Sequence, residues 1–253
     1  MYNTQGLVSE VRRNGSPLVR FFYNERGHRV RKQSFSPAGN EYYVSDISGN
    51  VMSIYTESSS SPLRQQEMAI YGISRLGVCF KATSSNPEIR NYQITDHLGN
   101  VRAVIQKQAG NPYVSMISYS DYYPFGEQLD GRSSTSSNYY RYAYQGQELD
   151  KETGKEAFQL RLWDGRIGRW LSPDPKGQHF SPYLGMSNNP LTRVDPDGGF
   201  DFYRGSDGMI VWFDIQGPLE GYEWLSSNFN LPDGSFGSSE YGRIVSCDVP
   251  NVS

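Results

Sequence analysis

One stretch, Arg161 to Gly198, limits the possible folds of this chain more than any other. It reads RLWDGRIGRWLSPDPKGQHFSPYLGMSNNPLTRVDPDG and holds two Asp-Pro-x-Gly tetrads, Asp174–Gly177 and Asp195–Gly198, with an Asn-Asn-Pro between them. Proline fixes its own φ and pushes the preceding residue out of the helical region. Each Asp is therefore held extended, and each closing Gly supplies a corner with φ > 0. The segment turns several times and cannot be a helix. An Asp before Pro also opens a turn with its side chain bonded to backbone, so a structural role at Asp174 and Asp195 stands beside any chemical one.

Upstream, the chain repeats one local arrangement. Leu18–Phe22 runs into Asn24-Glu25-Arg26-Gly27 and a second strand. Tyr42–Ser45 runs into Asp46-Ile47-Ser48-Gly49-Asn50 and then Val51–Tyr55. Tyr92–Thr95 runs into Asp96-His97-Leu98-Gly99-Asn100 and then Val101–Gln106. In each, an aromatic strand enters a turn opened by Asn or Asp and closed three residues later by Gly, as hairpin turn chemistry requires. Simple alternation puts Val101, Ala103 and Ile105 on one face of the last strand. Units of this kind stack, because one hairpin cannot bury its own apolar face. Further aromatic strands are expected at Tyr122–Glu127, ending in a Pro/Gly turn, at Tyr140–Glu148, with a turn, and at Phe158–Leu162. WDGRIGR is expected to form a hairpin turn in which Asp164 and Arg166 can pair, and the Ser/Thr-rich run 131–138 an exposed loop.

Composition excludes several classes. The net charge is −3 and Lys and Arg are not in excess, which argues against an electrostatic nucleic-acid partner. The three histidines (His28, His97, His179) and the two distant cysteines, Cys79 and Cys247, offer no metal spacing and no disulfide framework, so no cofactor or metal is expected. No apolar run is long enough to span a membrane. The first residues lack the apolar core of a signal peptide, which suits the tail of a longer exported polypeptide.

Taken in order, YxxxDxxGNV, YYPFGE, YxYxGQE, WDGRIGRWLSPDP, SPYLGMSNNP and VDPDG resemble the C-terminal part of Rhs/YD-repeat proteins. Specifically, roughly residues 20 to 198 resemble the Rhs repeat-associated core domain of bacterial polymorphic toxins. The resemblance implies a mainly β fold: consecutive β-hairpins of a partial YD-repeat spiral shell over 1–107, a Pro/Gly-rich core plug over 108–198, and a small variable C-terminal segment over 199–253. It implies as partners an upstream YD-repeat segment, a C-terminal effector passenger and an immunity protein. It also implies a secreted or cell-surface setting.

In several relatives the core is an aspartyl protease that cuts its own chain after the last tetrad. The matching carboxyl groups are Asp174 and Asp195, a pair whose pKa values would split into acid and base. Arg166 or Arg169 is the candidate cation for an oxyanion. The bond would be Gly198–Gly199 or Gly199–Phe200. The chain departs from the family wording here, with Gly199-Phe200 where Leu commonly follows the tetrad and SPYLGMSNNP between the tetrads. The competing expectation is a surface β-repeat protein that binds carbohydrate or a neighbouring cell without catalysis. In the tail, Phe200–Gly208 and Met209–Phe213 read as a hairpin, Leu219–Leu225 as a short helix and Asn230–Gly237 as turns. The tail has no His and no nuclease or nucleotide-binding constellation.

Overall fold

The computed structural model describes residues 1–72, 74–82, 87–108, 110–135, 140–199, 201–204, 210–211, 228–230 and 236–238. Its dominant element is an antiparallel sheet of eleven strands in strict chain order. These are β1 (Glu10–Arg13), β2 (Ser16–Tyr23), β3 (Arg29–Phe35), β4 (Ala38–Ser45), β5 (Val51–Ser58), β6 (Ser61–Tyr71), β7 (Arg75–Phe80), β8 (Ile89–Thr95), β9 (Val101–Gln108), β10 (Val114–Tyr122) and β11 (Gln128–Thr135). The sheet does not close: β1 and β11 are its two edges. It runs past residue 107, and the Ser/Thr-rich run expected as a loop from 131 is strand as far as Thr135. Small hydroxyl residues suit an edge strand, and Ser133, Ser134 and Thr135 pair with Ser120, Tyr119 and Ser118.

The repeated turns share one rim of this sheet. Asn24 Oδ1 accepts the backbone N–H groups of Arg26 and His28, Asp46 Oδ1 those of Ser48 and Asn50, and Asp96 Oδ1 those of Leu98 and Asn100, at 2.9–3.0 Å. Neighbouring turns touch: Gln5 Nε2 donates to the Glu25 carbonyl and Arg26 Nη1 to the Ile47 carbonyl, both at 3.2 Å. Each return strand then carries one extra residue. Phe22 faces Arg31 but Tyr23 faces Arg29; Val44 faces Ser53 but Ser45 faces Val51; Ile70 faces Gly77 but Tyr71 faces Arg75; Ile94 faces Ala103 but Thr95 faces Val101. Val30, Met52, Leu76 and Arg102 are therefore bulged residues. The last bulge corrects the alternation expected for β9: Val101 and Val104 are buried, because the extra residue at 102 exchanges the faces beyond it.

A second layer lies on one face of the sheet. It comprises β12 (Glu148–Asp150), β13 (Lys155–Ala157), β14 (Leu162–Asp164) and β15 (Arg169–Trp170), a small sheet in chain order. β16 (Arg193–Val194), β17 (Phe202–Arg204) and β18 (Ile210–Val211) form another, and β19 (Asn228–Asn230) pairs β20 (Phe236–Ser238). The pairing of β17 with β18 agrees with the expected tail hairpin. The expected helix at Leu219–Leu225, and Cys247, lie outside the described residues.

From residue 140 this layer crosses the sheet against chain order. Tyr140 donates to Gln93 Oε1 at 2.6 Å, and the Arg75 guanidinium stacks 3.3 Å from the centre of the Tyr142 ring. Leu162 joins Val8, Val19 and Phe21 at the opposite side. Three strand expectations shrink. Tyr122–Glu127 is strand only at Tyr122, the last residue of β10, because the chain turns at once, with Gly126 N–H donating to the Tyr123 carbonyl at 2.9 Å. Tyr140–Glu148 keeps only a Tyr142–Glu148 bridge around a tight turn at 144–146, where Gln145 takes a positive φ of 48°. Phe158–Leu162 is not a strand until Leu162, because Leu160 N–H donates to the Asp197 carbonyl and Phe158 fills an aromatic core with Tyr144, Trp163, Trp170 and Met186.

Candidate functional site

The two tetrads converge on one guanidinium. Arg161 immediately precedes β14 and is buried. Its plane stacks 4.1 Å from the centre of the Trp170 ring, and Trp170 is itself held edge-on by Trp163 and Phe158 at centroid distances of 4.9 and 4.8 Å. Arg161 Nη2 lies 3.7 Å from Asp174 Oδ1 and 3.5 Å from Asp195 Oδ2. Its Nε donates to the carbonyl oxygen of Gly198.

Each aspartate is placed by local turn chemistry. Asp174 opens a turn of the same kind as the rim repeats: its Oδ1 accepts Lys176 N–H at 2.9 Å and its Oδ2 Gln178 N–H at 3.0 Å, and Gly177 closes it at φ 64°. The returning chain pins that turn, with Asp174 N–H donating to the Pro182 carbonyl at 2.8 Å. Asp195 differs. Its Oδ1 accepts Gly198 N–H at 2.7 Å and Gly199 N–H at 3.1 Å, while Oδ2 is buried and, among the described residues, accepts no hydrogen bond. The YxYxGQE motif clamps this tetrad from the other side: Gln145 Oε1 accepts Asp195 N–H at 2.8 Å and Gln147 Nε2 donates to the Pro196 carbonyl at 3.0 Å. Gly198 has to be glycine. Its φ is +85°, and a Cβ there would stand 3.1 Å from the Phe158 Cβ and 3.2 Å from Arg161 N.

Burial pushes the Asp195 carboxyl well above the ordinary carboxylate range, Asp197 and Asp201 push it further, and Arg161 only partly opposes them. This raised carboxyl sits beside the nitrogen of the Gly198–Gly199 peptide, whose carbonyl is held by a cation. That arrangement can polarise a carbonyl and protonate a departing amine.

The other sequence candidates lie elsewhere. Arg166 pairs with Asp164 at 2.9 Å in the β14–β15 hairpin, the ion pair that WDGRIGR allows. Arg169 donates to the Gly168 carbonyl at 2.7 Å and to Asn188 Oδ1 at 3.1 Å. Phe200 lies outside the described residues. Sequence reading passed over Arg161; its one mark is a lone cation between Leu160 and Leu162.

It also passed over a buried ionic network that fixes this layer to the sheet. Lys32 lies 2.8 Å from Glu41 and 3.4 Å from each of Glu148, Asp150 and Glu152. Arg29 reaches Asp150 at 3.1 Å, and Arg141 reaches Glu67 at 2.8 Å and Glu148 at 2.9 Å. Burial raises Glu148, but Lys32, Arg141 and Arg29 outweigh it and hold the carboxyl at about 2. Burial prevails instead at Asp150, against Arg29 and Lys32, and at Glu67, against Arg141, and both are raised.

Comparison with known proteins agrees with this architecture. The profile of the Teneurin YD-shell family matches residues 1–190. This chain belongs to the Teneurin YD-shell family. Salivary gland surface protein 1 of Aedes aegypti is 31% identical over 193 residues, 72% of this YD-shell chain and 5% of that protein. Toxin subunit YenC2 of Yersinia entomophaga is 38% identical over 87 residues, 33% of this chain and 9% of that protein. The crystal structure of TcdB2-TccC3-Cdc42 superposes with a TM-score of 0.61 at 22% identity, over 79% of this chain and 10% of that one, a likeness of fold. The chain thus spans a tenth or less of the length of these proteins. It is an Rhs/YD-repeat shell protein with an open antiparallel sheet of eleven strands. Among the described residues, no helix is long and apolar enough to cross a membrane, and no His, Cys, Asp and Glu group could hold a metal ion.

Proposed function

We propose that this chain is the C-terminal shell and core of an Rhs-type toxin, and that it encloses a C-terminal effector and cuts its own backbone once at Gly198–Gly199. The observation that carries the reading is Arg161, which touches Asp174, Asp195 and the Gly198 carbonyl at once. In the proposed cut, water adds to the Gly198 carbonyl carbon while Arg161 stabilises the oxyanion. Asp174, as the general base, takes a proton from that water; Asp195 gives its proton to the Gly199 nitrogen, and the Gly198–Gly199 C–N bond breaks to leave a carboxylate and an amine. The layer over 140–199 acts as the plug that carries this site. The partners are the upstream YD-repeat wall, the passenger beyond residue 199, an immunity protein and, by likeness to the Tc neighbours, other toxin subunits. The setting is extracellular.

The test is incubation of the purified chain followed by mass spectrometry. The expected product is a ~6 kDa fragment beginning at Gly199, the share of the 28.7 kDa chain that lies beyond Gly198. Asp195→Asn removes it. A folded wild-type chain that stays intact refutes self-cleavage. A second reading, a surface-binding β-repeat protein, is favoured by the relative named a surface protein, at 31% identity. Selective binding of the intact chain on a glycan array supports that alternative.

A further inference from the structure

The cut proposed above removes the covalent tie to residue 199 and beyond, yet the structure grips that segment separately. Asp201 is 2% exposed. Its Oδ2 lies 3.0 Å from His179 Nε2 and accepts the Ser187 hydroxyl at 3.0 Å, and Arg193 Nη1 donates to the same Ser187 oxygen. The Asp201 N–H donates to Gln178 Oε1 at 3.0 Å. Ser187 reaches Asp201 from an unusual backbone: Met186, Ser187 and Asn188 have φ of 48°, 47° and 57°, a left-handed run that L residues adopt only when their surroundings over-determine it. Beyond Asp201 the backbone continues as a paired strand, with Val194 facing Phe202 and Arg193 facing Tyr203.

Ser, His and Asp are the residue types of a hydrolase triad, but the geometry is not one. The Ser187 hydroxyl, at 3.3 Å, and the Asp201 carboxylate both meet the same His179 nitrogen, Nε2. A triad needs the hydroxyl on one ring nitrogen and the carboxylate on the other, so that a proton moves through an oriented ring. What the cluster supplies is donors around a buried carboxylate, a charge-assisted grip. Its members lie on the core side of the candidate bond, and the gripped group lies on the passenger side.

We propose that His179, Ser187 and Arg193 form a carboxylate-binding subsite for Asp201 that tethers the downstream strand to the core independently of the backbone. The tether is useful only if the chain is cut, and in that sense rests on the reading above; the grip itself is testable in the uncut chain. The experiment is hydrogen exchange by mass spectrometry on the full chain, comparing wild type with Asp201→Ala and with a His179→Ala/Ser187→Ala double variant. Losing a charge-assisted grip is expected to speed exchange at 201–204 by about 10- to 100-fold, while amides of β2–β9 keep their wild-type rates and so report an intact fold. In any cut sample, a C-terminally tagged fragment co-elutes with the core in wild type and separates in Asp201→Ala. Equal exchange at 201–204 in all chains, or a wild-type fragment that elutes alone, overturns the tether. A chain that never cuts refutes the self-cleavage reading, and the exchange comparison on it still decides the tether.

Discussion

Glu156, in the middle of β13, gives the sharpest quantitative prediction. It is buried, backbone-paired with Trp163 and Leu149, and close enough to Tyr122 and Tyr144 for its charge to raise both phenols. Burial pushes its carboxyl from 4.5 to about 8; Lys155 opposes weakly, being already paired with Asp164. In the unfolded chain the group loses its proton near 4.5, whereas in the fold it keeps it until about 8. Between those values the unfolded state binds fewer protons, so rising pH favours unfolding, by about 1.4 kcal/mol per pH unit. The cost is absent below 4.5, reaches about 3 kcal/mol at pH 7, and levels off above 8 at about 5 kcal/mol. Glu156→Gln keeps the shape and removes the titration. The variant should be more stable than wild type by about 3 kcal/mol at pH 7 and equal to it near pH 4.5. Urea melts at pH 5, 6, 7 and 8 measure this; with a slope near 3 kcal/mol/M the pH 7 midpoints should differ by about 1 M. Parallel curves across that range would refute the reasoning, because they would mean that Glu156 ionises in the fold without penalty.

Asp174→Asn should slow self-cleavage by about 100-fold or more, as loss of a general acid–base group does, and Arg161→Lys should abolish it, because a point charge cannot meet two carboxyls and a carbonyl together; time courses of the ~6 kDa product decide both. Lys32→Ala leaves Glu148 and Asp150 with less compensation and should destabilise the chain by about 3–5 kcal/mol in urea melts. Gly185→Ala would set a Cβ 2.4 Å from Trp163 Cζ3 and 2.9 Å from Trp170 Nε1, so it should cost about 1–3 kcal/mol and also slow cleavage through Trp170, which carries Arg161.

Turn chemistry made much of the fold legible in the sequence. Asn24, Asp46, Asp96 and Asp174 each do locally what their residue type and the following Gly require, and a local requirement survives any tertiary context. Face assignment was less legible. Alternation fails at Val101–Gln106 because a bulge one residue beyond the turn changes the parity, and no residue type announces it. The inward row Phe21, Lys32, Glu41 was hidden for a different reason. The Lys32 charge is buried there only because Glu148 and Asp150, more than a hundred residues later, return to pair with it. At the candidate site the aspartates were readable from their prolines. Arg161 was not, because its role depends on a Trp170 ring that folds back beneath it.

The extra residue on four return strands has a consequence for size. A bulge increases the right-handed twist of its own strand, and these fall at the same end of successive hairpins. Their rotations add in one sense, so a ribbon of such hairpins coils as it lengthens and its girth is set by the pitch of each unit. Adding units then extends the coil without redesigning any of them.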